Sequence, residues 1–181
     1  MILQMQLDWL VPILVGKMAK VYINSDDELN RILHDISVEV INKVSEKVLS
    51  EVEKQIDLQV YIGKRNFYAK GTKRPTYDFR NTWISDINEE NFAVEGQVKQ
   101  EYNKMRLDVD NFIHGSKFYK DQDVRSFLAE IINEGKAGSI FGYGYWTNPR
   151  PFWDVAMEIM KDGTVDKWIK SEFKKRGFTL T

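Results

Sequence analysis

Cysteine is absent from the 181-residue sequence, which excludes disulfide staples, thiolate zinc sites and a cysteine nucleophile. Such a composition fits a reducing compartment. Histidine is scarce as well: His34 and His114 are the only two, far apart and in different expected elements. A histidine-rich metal site is therefore excluded, and Ser-His chemistry has few candidates. Neither sign of charge prevails, because 26 Lys+Arg face 27 Asp+Glu for a net charge of -1. That balance gives no global pull towards nucleic acid or an anionic membrane, so any such attraction must come from a local patch. Long apolar runs are missing too. The stretch LDWLVPILVG (7–16) is too short to span a bilayer and contains Pro12. It lacks the basic leader and small-residue cleavage site of a signal peptide.

What remains suits a folded chain. A hydrophobic fraction of 43% with 13% aromatics supplies a core, and 29% charged residues solvate the surface. The length fits one domain, or one domain with an extension. Residues 1–17 read as an apolar N-terminal extension that contributes little to the fold, because MAKVYINSDDEL from Met18 looks like an ordinary protein start. Residues 18–181 read as a single α+β domain, with no internal repeat or low-complexity segment.

Ser25 and Glu28 form the S-x-x-E pattern of a capping box, with Asp26 and Asp27 suiting the positive end of a helix. Beyond them Leu29, Ile32, Leu33, Ile36, Val40, Ile41, Val44, Val48, Leu49, Val52 and Ile56 recur at three and four. No Gly or Pro interrupts residues 26–62, so the spacing predicts one long amphipathic helix, with part of its stripe facing another subunit or the helix lying across its own sheet. The stretch DFRNTWISDI (78–87) has Phe79, Trp83 and Ile87 four apart and predicts a short helix. NFAVEGQVKQ (91–100) and KMRLDVDNF (104–112) alternate apolar and polar residues and predict two antiparallel strands joined near EYNK, with Gly96 marking a bulge. A second helix is expected over 121–135, ending at Gly135. A third starts at NPRPFWDVAMEIM (148–160), where Asn148 can cap and proline in the first turn costs no hydrogen bond. There Phe152 and Trp153 would sit on the first turn, one inward and one towards a neighbour. A fourth helix, capped by Thr164, brings Trp168, Ile169 and Phe173 inward. Long N-terminal and C-terminal helices on a small antiparallel sheet make an α+β fold.

The search for chemistry yields weak candidates. Asp108 and Asp110 share a strand face, and Asp121 and Asp123 are similarly spaced, so each pair could bind a divalent cation. Neither comes with a third ligand, and a solvent-facing strand and a helix N-terminus explain them more simply. His34 beside Asp35 is not a dyad, because adjacent helix positions diverge. The glycine-aromatic segment 136–148 lacks the spacing of a phosphate cradle. The segment GKRNFYAKGTKRPTYD (63–78) reads as a loop in which Lys64, Arg65, Lys70, Lys73 and Arg74 interleave with Phe67 and Tyr68. Such a loop can track a nucleic-acid backbone and stack on bases. A solvated loop anchored by two aromatics is the simpler account.

The order of the pieces carries more than any one of them. A long helix precedes TYDFRNTW (76–83), which is followed by FLAEIINEG (127–135) and PRPFWDVAM (149–157). This arrangement resembles the tail-completion or head–tail joining (neck) family of long-tailed bacteriophages, also described as minor capsid or tail components. Arg80, Asn81 and Thr82 match that family's Thr-Gly-x-Leu-Arg-x-Ser-like stretch, although Tyr77 and Asp78 stand where Gly is usual. Ala129, Ile132, Glu134 and Gly135 match its Tyr-Ala-x-x-Val-Glu-x-Gly-like helix end. Arg150, Pro151, Phe152 and Ala156 match its Arg-Pro-Phe-Leu-x-Pro-Ala stretch, with Trp153 replacing Leu and Val155 replacing the second Pro. The resemblance covers roughly residues 25–160. It implies a structural virion protein of the phage neck, neither an enzyme nor a cofactor binder, assembled in the host cytoplasm. It further implies a homo-oligomeric ring, often a hexamer, around the DNA channel. Its expected partners are head-completion or connector proteins and tail-tube or tail-terminator proteins, with DNA passing through and no membrane. The competing reading is a nucleic-acid-binding accessory protein that uses loop 63–75.

Overall fold

In the computed structural model the described residues are 2–6, 25–62, 79–90, 93–104, 118–119, 122–135, 148–178 and 180. They form a mixed fold of helices and small antiparallel sheets, the α+β class that the patterning predicts.

The long helix is present. Helix α1 spans Asp26–Gln55 and continues as wider π-helical turns over Ile56–Ile62. Its start is capped as the sequence suggests: the Glu28 amide donates to Ser25 Oγ at 3.2 Å, and the Leu29 amide to the Ser25 carbonyl at 3.1 Å. Val40, Val44, Val48, Val52, Ile56 and Val60 form a buried line of steps of four, while Leu29, Ile32, Leu33 and Ile36 are only half-buried. The line begins where neighbours cover it.

The short helix expected over 78–87 is instead a single 3₁₀ turn, Arg80–Thr82, leading into strand β2, Trp83–Glu90. Residues four apart lie on one side of a strand as well as a helix, so the pattern was ambiguous. Strand pairing decided it. Strand β3, Ala93–Gln100, follows after two residues, a separation that permits only an antiparallel hairpin. The Glu101 amide donates to the Thr82 carbonyl at 2.7 Å where the hairpin ends. The strand partner expected over 104–112 is thus replaced by β2. Lys104 lies in the 3₁₀ turn Tyr102–Lys104, and residues 105–112 fall outside the described residues.

Strand β1, Ile2–Gln6, occupies the other edge in the order β1-β3-β2. It pairs antiparallel with β3 in unbroken register from Ile2↔Lys99 to Gln6↔Glu95. This corrects the expectation that residues 1–17 contribute little to the fold. It also corrects the expected bulge, since Gly96 sits in register opposite Met5. Val94, Gly96 and Val98 alternate inward along β3, the period-two pattern of a half-buried strand.

The helix expected over 121–135 is shorter. Strands β4, Phe118–Tyr119, and β5, Gln122–Asp123, pair before a 3₁₀ turn, Val124–Phe127, and then α2 runs over Leu128–Glu134. Helix α3, Phe152–Lys161, and helix α4, Thr164–Lys175, follow. Gly163, at φ 69°, separates them and takes the position before α4 that had been assigned to Thr164, which becomes the first helical residue.

The chain gathers into two compact units, each built from discontinuous segments. One contains Ser50–Ile84 and Gln100–Ile159, and the other Ile2–Leu49, Ser85–Lys99 and Met160–Thr181. In the latter, Val40 and Val44 of α1 pack on Ile169, Phe173 and Phe178, flanked by Leu33, Ile36, Val165, Trp168 and Leu180.

Candidate functional site

The stretches that carry the family resemblance meet in the first of these units. Phe152 opens α3 and is fully buried, with its ring edge-on to Phe79 at 5.4 Å and to Trp83 at 5.7 Å. Trp83 meets Phe79 edge-on at 6.0 Å and stacks on Trp153 at 5.2 Å with 27° between the planes. Edge-to-face and offset-stacked geometries are those the ring quadrupoles favour. Phe152 and Trp153 are therefore both buried and neither turns towards a neighbour, because the indole of Trp83 lies against Trp153.

The entrance to α3 is held by a residue the sequence did not mark. Asn148 is exposed and does not cap the helix. Asn133, buried in α2, accepts the Trp153 amide at 3.0 Å and the Asp154 amide at 3.4 Å on its Oδ1. Its Nδ2 donates to Asp154 Oδ2 at 3.0 Å. One side-chain amide thus satisfies two orphan donors of the next helix and a carboxylate in its first turn. The Pro151 carbonyl accepts from Val155 at 2.9 Å, so proline immediately precedes the helix and sacrifices no bond.

Gly135 and the proline segment fit together closely. Gly135 ends α2 at φ 70°, and a Cβ there would come within 2.6 Å of the Pro149 nitrogen. Only glycine tolerates both the left-handed backbone and that approach. The Arg150 amide donates to the Ile132 carbonyl at 2.9 Å, tying the segment to the last turn of α2, and Arg150 itself is buried. Glu134, Gly135, Arg150, Pro151 and Phe152 are therefore drawn together. Arg80 plays a different part. Its guanidinium donates to Asp57 at 2.9 Å and to Glu53 at 3.4 Å, joining the 3₁₀ turn to the end of the long helix. With Arg80 42% exposed, this pair anchors more than it stabilises.

The basic loop, with Lys64, Arg65, Lys70, Lys73 and Arg74, lies outside the described residues, as do Asp108, Asp110, His114 and Asp121. Asp123 is in β5 rather than at a helix start. His34 Nε2 stands 3.7 Å from Glu89, an ion pair only when the imidazole is protonated, and its Nδ1 is 3.9 Å from Asp35. Among the described residues no group of three or more His, Asp or Glu could hold a metal ion. Nor is any helix among them long and apolar enough to cross a membrane.

The spacing of Phe79 and Trp83 predicts one face of a short helix, and nothing in the sequence singles out Asn133. A signal for the rings was present, since Phe79 and Trp83 in DFRNTW, and Phe152 and Trp153 in PRPFW, are large apolar residues set close together. None existed for Asn133, whose partners are 20 and 21 residues away. No protein-family model, curated protein or solved structure matches the chain.

Proposed function

We propose that the chain is a structural protein of the phage neck, joining head connector to tail, and that it acts by ring assembly around the DNA channel rather than by catalysis. One observation carries the reading: the motif stretches of the resemblance converge as scaffold. Gly135 seats Pro149, the Arg150 amide closes on α2, and Phe152 fills the space between Phe79 and Trp83. Their polar backbone and aromatic surfaces are spent on fixing one corner, as a rigid building block requires. Leu29 and Ile32, half-buried at the start of α1 and outside the core cluster around Val40 and Val44, offer apolar surface for a neighbouring copy or neck protein.

The test is the mass of the full chain in solution, with ring-shaped particles sought by electron microscopy, alone and mixed with the connector of its own phage. Closed rings of several copies, hexamers in the first instance, are expected. A chain that stays monomeric at high concentration and also ignores the connector overturns the reading. Genes for portal, capsid and tail-tube proteins beside its own gene would support the class independently.

A further inference from the structure

Helix α4 turns Ile169 and Phe173 into the core and leaves Lys167, Lys170 and Lys174 exposed at i, i+3 and i+7. Among the described residues the side chains of these three lysines have neither an ion-pair nor a hydrogen-bond partner. Their neighbours are engaged differently: Lys175 donates to Glu172, and Arg176 to Glu172 and Glu39. The helix dipole accounts for cations in the last turn, but it opposes Lys167 in the first turn and is indifferent to Lys170. Solvation alone would be served by either sign of charge. Asp166 is the one exposed acid in the helix, at its positive end, where the dipole favours it.

We infer that this face of α4 contacts the phosphate backbone of double-stranded DNA. The lysines span about 10 Å along the helix axis at 1.5 Å per residue. Each strand presents one phosphate per about 3.4 Å of duplex axis, so a helix laid along that axis passes roughly three phosphates of a strand. Ammonium groups on flexible stems neutralise phosphates without reading bases, so the contact is independent of sequence. A protein partner fits less well. The other exposed residues beside them are Ser171 and, at the N-terminal end, Asp166, and neither is an aromatic or arginine anchor of the kind that holds protein interfaces. A membrane fits less well because the apolar side of α4 is already buried in its own core and has nothing to insert. The inference rests on the neck reading only in choosing duplex DNA as the polyanion the chain meets.

The experiment measures binding of the full chain to a labelled duplex of mixed sequence between about 50 and 200 mM salt. It compares the parent with K167Q/K170Q/K174Q, with each single variant, and with K64Q/R65Q/K73Q/R74Q in the segment 63–78. Each neutralised lysine is expected to reduce the slope of log K against log salt by about 0.9, and the triple variant by about 2.7. The loop variant is expected to keep that share. Equal slopes for parent and triple variant, with circular dichroism unchanged, overturn the inference, as does a parent that binds no DNA at the lowest salt. A triple variant that loses self-association instead, or a parent that prefers phosphatidylserine vesicles to DNA, also overturns it. Failure of the neck reading registers separately, in the mass measurement.

Discussion

The corner around Phe152 and the contact between α1 and α4 are both built by bringing distant segments together, yet they use different physics. At the corner, four rings and the Asn133 amide do the holding, and the central groups are buried. Between α1 and α4, an apolar seam of Val40, Val44, Ile169 and Phe173 is edged by charge. Lys47 donates to Glu172 at 2.6 Å, Lys175 at 2.7 Å and Arg176 at 3.3 Å. Burial and buried hydrogen bonds respond little to salt, whereas half-exposed ion pairs are screened and titrated. The corner should therefore fail by substitution, and the helix pair by solution conditions.

The largest effect is expected at Phe152. Phe152→Ala removes a side chain that touches two further rings and leaves a cavity that the turn at Arg80–Thr82 cannot collapse to fill. A loss of about 3–5 kcal/mol is expected from urea unfolding, the same at low and high salt. A strongly salt-dependent loss would mean that the corner is not the dry aromatic site described. Next is Asn133→Ala, which strips the cap from the Trp153 and Asp154 amides and leaves Asp154 without its donor. A loss of about 2 kcal/mol is expected, again insensitive to salt. An unchanged midpoint would show that water replaces the amide at no cost.

The same contrast explains what could be read in advance. The seam of α1 was legible, because Val40, Val44, Val48 and Val52 repeat with the period of a helix and depend only on local spacing. The stop at Gly135 was legible for the same reason, and it takes left-handed backbone at φ 70°. Phe79 and Trp83 were visible as core residues but not as the approach to a strand, since a spacing of four suits either element. What resolved it was hairpin pairing with residues 93–100, which is not written in 78–87. Asn133 was illegible because its role lies wholly in its partners. It resembles any polar residue near a helix end until α3 is brought to it. Leu3, Gln4, Met5 and Gln6 do alternate apolar and polar, but so short a run becomes a strand only against the open edge of β3.

The smallest effect belongs to Glu172, and its pH dependence separates the two regions. Hydrogen bonds from Lys175 and Lys47 outweigh the cost of burial and lower its carboxyl from 4.5 to about 2. A depressed carboxyl contributes stability that is fully present above its unfolded value and is lost as pH falls through its folded one. Glu172→Gln should therefore cost about 1 kcal/mol at neutral pH, because its cationic partners are partly exposed. That difference should narrow below about pH 4.5 and vanish as pH falls below about 2, once the parent carboxyl is itself protonated. Concentrated salt should narrow it at neutral pH too, while the Phe152→Ala difference holds. If the Glu172→Gln difference instead stayed constant down to pH 2, the side chain would be acting through its packing on α1, and the charged edge would be no different in kind from the aromatic corner.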